Sequence, residues 1–131
     1  MSGGAISGFF EIFSGSEVNF SGGLINGFGI DGGVTINISG TSFTLNGNPI
    51  TGLALNTPFT VIDRNAAVLA GTLADNTSFD MTLEQDLFDA ANNGTDWISS
   101  AATINIILVP EPASLALLSL AVFSLLTRRK D

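Results

Sequence analysis

The sequence contains no cysteine and no histidine. Without cysteine the chain has no disulfide framework. Without histidine, a serine nucleophile activated by a histidine partner is excluded. Paired carboxylates remain a catalytic option, but Arg64 is the one base before the C-terminal tail that could bind an acidic sugar or stabilise an oxyanion. These absences predict a protein that is not an enzyme and that uses no cofactor.

Basic residues are also scarce, since the chain has four of them against twelve acidic residues. Three of the four, Arg128, Arg129 and Lys130, lie at the C-terminal end. The body, residues 1–108, therefore carries ten acids and one base, a net charge of −9. Nucleic-acid binding needs clustered lysine and arginine, so this composition argues against it. An acidic body remains compatible with divalent cations or basic partners.

Acidic residues concentrate in the second half of the body. Calcium ions take about six to eight oxygen ligands, which such a region could supply. The spacing does not match the Asp-x-Asn-x-Asp-Gly pattern of known calcium loops. The sequence therefore favours a solvated acidic surface and assigns no metal site. The residues concerned are Asp75, Asp80, Glu84, Asp86, Asp89 and Asp96.

The body is rich in glycine, asparagine, serine and threonine and poor in helix formers, a composition typical of a turn-rich, all-β protein. Two blocks of it repeat. Residues 2–9 are echoed nineteen residues later by residues 21–28, and residues 15–22 are echoed eighteen residues later by residues 33–40. One deletion near Glu11 would reconcile the two offsets. A third, diverging copy is expected to begin at Ser39-Gly40-Thr41.

The repeat predicts a stacked β architecture. Val18 and Phe20 alternate with polar residues, which places both side chains on one face of a strand. A unit this short cannot bury its apolar face alone, whereas stacked copies can. Asn19 and Asn37 occupy equivalent positions and are expected to form an amide ladder. We therefore expect β-solenoid-like coils of about 18–19 residues over residues 1–45, at the end of a longer array. A small sandwich of β-hairpins is the alternative.

Residues 46–108 are predicted to form a terminal β region that caps the last coil, because an uncapped coil exposes apolar core and strand edge. Asn46-Gly47 is a strong tight-turn signal. A capping box and helical spacing predict a short helix over residues 83–91. Trp97 is expected to be half-buried in the cap, and Arg64 is interpreted as a turn residue. The predicted strands are residues 59–62, 67–73, 78–83 and 102–108, with turns at 63–65 and 74–76. In the last of these strands, Thr103 and Asn105 are expected on one face and Ile104 and Ile106 on the other.

Residues 113–127 carry no charge and are rich in leucine and alanine, which favour a helix. Pro112 suits the first helical position. Such a helix would be roughly 22 Å long at ~1.5 Å per residue, which is short of the ~30 Å hydrocarbon core of a bilayer. The basic residues 128–130 could extend the span by snorkelling and would face the cytoplasm. A buried core helix and a plain tail anchor are the alternatives.

The segment Val109-Pro110-Glu111-Pro112-Ala113, with the apolar run and the basic end that follow it, resembles the PEP-CTERM sorting signal of Gram-negative and related bacteria. The resemblance covers residues 109–131. It implies export, retention in the inner membrane by residues 113–127, and recognition and cleavage near Pro110-Glu111-Pro112 by a membrane protease, exosortase. It also implies release to the cell surface or extracellular matrix, where such proteins are commonly linked to exopolysaccharide and biofilm. Two features depart from the pattern: the apolar run contains no glycine, and residues 1–8 have no signal-peptide character.

We therefore expect an exported, non-enzymatic surface or extracellular-matrix protein with a structural or adhesive role. Its expected partners are an exosortase-type protease, the inner membrane (transiently, through residues 113–127) and exopolysaccharide. Arg128, Arg129 and Lys130 would fix the orientation of the tail in the membrane. Because residues 1–8 lack an export signal, we expect further chain ahead of Met1. Two alternatives are the C-terminal fragment of a polysaccharide-active β-solenoid enzyme and a stably tail-anchored membrane protein.

Overall fold

The computed structural model of the protein describes residues 1–84 and 96–111. Within these ranges the chain is all-β and contains no helix, which confirms the predicted fold class at that level. The strands form two sheets, and the described residues do not close into a barrel. The ten strands are β1 (Ser2–Ile12), β2 (Glu17–Phe20), β3 (Gly22–Ile30), β4 (Thr35–Leu45), β5 (Asn48–Pro49), β6 (Pro58–Thr60), β7 (Val68–Leu73), β8 (Ser78–Thr82), β9 (Trp97–Ile98) and β10 (Thr103–Leu108).

The first sheet is a parallel ladder in the order β1-β3-β9. Phe10 of β1 lies beside Phe28 of β3, and Gly29 of β3 lies beside Trp97 of β9. Register shifts occur between Ser2 and Ala5 and between Ile6 and Phe9. The offset changes from nineteen to eighteen residues between Ile6 and Phe9, so the predicted one-residue deletion is present but lies ahead of its predicted place near Glu11. The reason is local: glycine-rich segments have no side chains that fix the register.

The second sheet contains another parallel ladder, β2-β4-β10, in which β4 lies between its two partners. Val18 of β2 and Ile104 of β10 both lie beside Ile36 of β4. The third strand of the ladder thus comes from the end of the body. The prediction that a third copy begins at Ser39 is wrong, because β4 continues through Ser39 as one strand of 11 residues.

The second half of β4 pairs with antiparallel strands instead. β5 returns on β4 through a tight turn in which Asn46 and Gly47 both have positive φ, at 51° and 78°. This confirms the predicted turn, since two positive φ values define the type I′ geometry. β7 pairs antiparallel with β4, and β8 pairs antiparallel with β7. β6 does not join β7 but pairs antiparallel with the outer edge of β10.

The core lies between the two sheets and consists of alternate residues of their strands. Ile36, Ile38, Ile104 and Ile106 are fully buried on the inner face, while Thr103 points to solvent. This confirms the predicted alternation in the last strand. Each such side chain contributes about 1.5–3 kcal/mol by leaving water. Four phenylalanines extend the core as a chain of edge-on ring pairs: Phe28, Phe20, Phe79 and Phe43.

Several predictions concern parts of the chain at the limits of the described ranges. Of the predicted helix over residues 83–91, Leu83 and Glu84 are not helical, and residues 85–91 lie outside the described residues. The predicted C-terminal helix over residues 113–127 also lies outside them. Trp97 is half-buried, as expected. The division of the body into coils over residues 1–45 and a cap over residues 46–108 stays a prediction.

The contact between β4 and β7 depends on Gly71. A methyl group at Gly71 would overlap with the backbone carbonyl of Ser42, which cannot move without disturbing the ladder. Gly8 in β1 is a matched control, because a methyl group there meets nothing within 4 Å. We expect Gly71→Ala to reduce the free energy of unfolding by at least about 1–3 kcal/mol.

The free energy of unfolding of the companion variant Gly8→Ala should stay within about 0.5 kcal/mol of that of the parent chain. Urea unfolding of both variants, monitored by the fluorescence of Trp97, measures the difference. Equal stabilities of the two variants would contradict the close packing of β7 on β4.

Candidate functional site: the sorting motif and its attachment to the body

The sorting motif begins where the second sheet ends. Strand β10 stops at Leu108, and the backbone N–H of Val109 donates a last hydrogen bond to the carbonyl of Gly40 at 2.9 Å. Val109 is half-buried, whereas Pro110 and Glu111 are exposed. Proline has no N–H to donate, so Pro110 ends the pairing. The first exposed residues of the motif therefore follow a strand that is held on both sides.

The other predicted sorting residues follow Glu111 in the chain. Pro112, Ala113, Arg128, Arg129 and Lys130 lie outside the described residues, as does the apolar run 113–127. Within residues 1–84 and 96–111, no helix reaches the length and apolarity needed to span a membrane.

A ladder of amide side chains runs across the second sheet beside this attachment. Asn37 Nδ2 donates to Asn19 Oδ1 at 3.0 Å, which confirms the predicted pair, and also to a carboxylate oxygen of Glu17 at 2.9 Å. Asn105 Nδ2 donates to Asn37 Oδ1 at 2.9 Å, and the hydroxyl of Thr60 donates to Asn105 Oδ1 at 2.8 Å. The ladder therefore has a direction, with each amide oxygen accepting from the next strand along.

The third member of this ladder was missed by the sequence analysis. Asn105 lies 68 residues from Asn37, far beyond the spacing of the eighteen- to nineteen-residue repeat. The signal was present, because Thr103-Ile104-Asn105-Ile106 is identical to Thr35-Ile36-Asn37-Ile38. Residues of the same type stack in register because each amide can both donate and accept.

A polar groove of about 320 Å³ lies between β3 and β8. Phe20, Phe28 and Phe79 form part of its apolar lining. Its polar lining comprises Asn26, Ser78, Asp80, Thr82 and Asp96.

Asp96 is the buried carboxylate of this groove, with 8% of its surface exposed. It accepts hydrogen bonds from the backbone N–H groups of Phe28, at 2.8 Å, and Thr82, at 2.9 Å, and so connects the two sheets. Burial raises the pKa of Asp96, the two backbone bonds oppose this rise, and the charge of Asp80 adds to it. The prediction that this residue belongs to a solvated acidic surface is wrong.

Asp75 has a different structural role. Its carboxylate accepts hydrogen bonds from the backbone N–H groups of Gly23, at 2.8 Å, and Thr77, at 2.9 Å. The hydroxyl of Thr77 also donates to it, and this bond is the main reason that the pKa of Asp75 is lowered. Asp86 and Asp89 lie outside the described residues, and the described part of the chain brings no three acidic side chains together around a metal position.

Arg64 begins a turn, as predicted, because its carbonyl accepts from the backbone N–H of Ala67 at 3.1 Å. Its side chain, which was not expected to have a further role, is buried, with 7% of its surface exposed. Its guanidinium donates to the carbonyl of Ser99 at 2.8 Å and to that of Ala102, which fixes the loop between β9 and β10. Nε lies 3.2 Å from a carboxylate oxygen of Glu84, without the alignment of a hydrogen bond. Burial lowers the pKa of Arg64, and the charge of Glu84 opposes this change.

Comparison with protein families identifies the C-terminal segment. The family model of the PEP-CTERM protein-sorting motif matches residues 108–130, which confirms the resemblance drawn from Pro110-Glu111-Pro112 and the tail. The chain thus carries the signal of proteins that exosortase sorts. The signal supports export, membrane anchoring before processing, and processing by exosortase. The chain matches no curated protein and no solved structure.

The buried carboxyl of Asp96 should make the stability of the fold depend on pH. Its pKa is raised in the folded chain above the ordinary value of 3.8. Its stabilising contribution is therefore fully present below that value and is lost as the pH rises through the raised pKa. In the Asp96→Asn variant, the change of unfolding free energy with pH that comes from this carboxyl should disappear.

The same variant should also lose about 1–3 kcal/mol of unfolding free energy, because the amide nitrogen cannot accept from a backbone N–H. Urea unfolding of the full chain in mild detergent, repeated across a pH series, measures both effects. The exposed Asp63→Asn variant removes the same charge as a control. Identical pH profiles for the Asp96→Asn variant and the parent chain would contradict the buried role of Asp96.

Proposed function

We propose that this chain is an exported, non-enzymatic protein of the bacterial surface or extracellular matrix, sorted by its C-terminal signal and processed by exosortase. The observation that carries the proposal is the match of the sorting motif to residues 108–130, which begins at the final residue of β10, the last described strand of the body. The body then has a structural or adhesive role, with exopolysaccharide as its expected partner in the matrix.

Each part of the tail has a physical task in this proposal. Pro110, Glu111 and Pro112 are recognised by the protease, and the exposure of Pro110 and Glu111 supports this role. The uncharged run 113–127 holds the protein in the inner membrane before processing. Arg128, Arg129 and Lys130 keep the end of the tail on the cytoplasmic side, because cations resist transfer across the bilayer.

Processing after Val109 would leave the body complete. The last described backbone bond of the body runs from Val109 to Gly40, and β10 lies between β4 and β6. Cleavage near Pro110-Glu111-Pro112 would remove no strand and would break no described contact between strands. The released form would therefore keep the fold of the anchored form.

For the body we propose successive coils of a β-solenoid. Two parallel ladders of three strands each support this interpretation, together with the loops that connect β1 to β2, β3 to β4 and β9 to β10. The directional amide ladder supports it as well, since equivalent residues stack on one another. A stacked, glycine-rich body of this kind suits a structural or adhesive role.

Replacement of the recognition residues tests the sorting proposal. The variant Pro110→Ala, Glu111→Ala, Pro112→Ala keeps the apolar run and the basic end, so export and membrane retention should persist. We expect the share of protein released from host membranes to fall by at least about tenfold, because protease recognition loses its determinants. Immunoblots of membrane and medium fractions give the ratio.

Pro49→Ala provides the control, since Pro49 is an exposed proline far from the motif along the chain. Release of this variant should match that of the parent chain. Unchanged release of the triple variant would contradict the sorting proposal. Such a result would leave a membrane-anchored protein whose tail is not processed at this motif.

A further inference from the structure

The groove between β3 and β8 lies between the two sheets, since β3 belongs to the first sheet and β8 to the second. Its volume of about 320 Å³ falls within the range of small-molecule sites, roughly 300–1,000 Å³. The floor comprises three buried rings, with Phe28 and Phe79 packed edge-on against Phe20. The shape of the groove therefore depends on the packed core beneath it.

The walls of the groove carry side chains that donate and accept hydrogen bonds. Asn26 comes from β3, and Ser78, Asp80 and Thr82 come from alternate positions of β8. Because residues two apart in a strand point to the same face, the three side chains of β8 form one row. Thr82 is half-buried, and the other three residues are exposed. The row therefore presents two hydroxyl groups and a carboxylate to a bound molecule.

Asp96 supplies an acceptor whose position is fixed. One carboxylate oxygen accepts from the backbone N–H of Phe28 in β3, and the other accepts from that of Thr82 in β8. A carboxylate oxygen has two lone pairs, so each oxygen keeps one acceptor position beyond its backbone bond. Asp96 is 8% exposed, and a buried acceptor gains free energy from a further partner. A hydroxyl group of a ligand in the groove can donate to it.

The charge of the lining restricts the kind of ligand. The carboxylates of Asp80 and Asp96 line the groove, and its described lining residues include no lysine or arginine. A phosphate, sulfate or carboxylate group bound there would meet like charges and no cation, which disfavours acidic sugars and nucleotides. A molecule rich in hydroxyl donors and without negative charge fits this lining.

The lining also has an apolar part, formed by Leu24 and Ile25 of β3. A sugar ring carries hydroxyl groups around its rim and C–H groups on its faces, so it needs both polar and apolar contacts. Leu24 is 57% exposed, so this wall of the groove reaches solvent. The groove can therefore accommodate a sugar unit that belongs to a longer chain.

We propose that the groove between β3 and β8 binds an uncharged sugar unit of a polysaccharide. The carboxylates of Asp80 and Asp96 accept from its hydroxyl groups, and Leu24 contacts a C–H face of the ring. This inference rests on the proposed matrix role, because it gives the exopolysaccharide partner a site and a chemical class. The site is separate from the sorting motif, since its lining residues lie between Phe20 and Asp96.

Binding of short oligosaccharides to the purified full chain tests this inference. The exopolysaccharide of the host is partly hydrolysed, and anion exchange separates the fragments into an uncharged and an acidic fraction. Isothermal titration calorimetry in mild detergent measures the affinity for each fraction. We expect the uncharged fraction to bind at least about tenfold more tightly than the acidic fraction, because the groove repels anions.

A first pair of variants tests the acceptor on β8. Asp80→Ala removes an exposed carboxylate from the groove, and the affinity for the uncharged fraction should fall about tenfold, because a hydrogen bond to a charged group is lost. Asp63→Ala removes an exposed carboxylate that does not line the groove, so its affinity should match that of the parent chain.

A second pair of variants fills the groove. Ser78→Phe places a ring in the space between β3 and β8 and should abolish binding, while an aromatic residue remains well suited to a strand. Ser16→Phe adds the same ring at an exposed position outside the groove and should bind as the parent chain does. Urea unfolding of both variants verifies that they are folded, so that a loss of binding reports on the groove.

Three results would overturn the inference. Absence of binding of the uncharged fraction would show that the groove takes no sugar. Equal binding by Ser78→Phe and Ser16→Phe would place the sugar elsewhere on the chain. Tighter binding of the acidic fraction would contradict the charge argument. None of these results affects the sorting proposal, which is measured by release from membranes, and unchanged release of the sorting variant would leave binding in the groove measurable.

Discussion

Strand β4 is the constraint on which the other described elements depend. The first half of β4 lies between β2 and β10 and runs parallel to both. The second half pairs with the antiparallel strands β5 and β7. Gly40 marks the change between the two, where Leu108 and Leu73 both lie beside it. A methyl group at Gly40 would overlap with the backbone carbonyl of Thr72, so glycine allows the two kinds of pairing to meet. The carbonyl of Gly40 also accepts from Val109, which attaches the sorting motif to the sheet.

Local sequence patterns predicted the features of the fold that depend on residues close together in the chain. The alternation of Ile104 and Ile106 with polar residues indicated their burial, and Asn46-Gly47 indicated the hairpin of β4 and β5. The eighteen-residue offset placed Asn19 beside Asn37, because identical side chains at equivalent positions can share hydrogen bonds. The motif around Pro110-Glu111-Pro112 was likewise recognisable without any structure, since a sorting signal is read as a linear segment.

The predictions that failed concern partners far apart in the chain. The third strand of each parallel ladder comes from residues 97–108, after an insertion that separates it from β4. Arg64 was interpreted as a turn residue and Asp96 as a solvated one, because the hydrogen-bond partners of their side chains lie 14 to 68 residues away. A charged group can be buried only where hydrogen-bond partners replace its contacts with water. The amino-acid composition does not show whether such partners lie nearby in the fold. In β1, glycine leaves the register to long-range pairing, so the offset deduced from the sequence was misplaced there.

The central claim is that an intact, folded body is separated from a sorting tail just after β10. The most direct test is the intact mass of the protein from host membranes and, separately, from the culture medium. The account predicts a membrane form that keeps Asp131 and a released form that ends near Pro110-Glu111-Pro112. A released form that still contains Asp131, or a single membrane form without any processed counterpart, would contradict it.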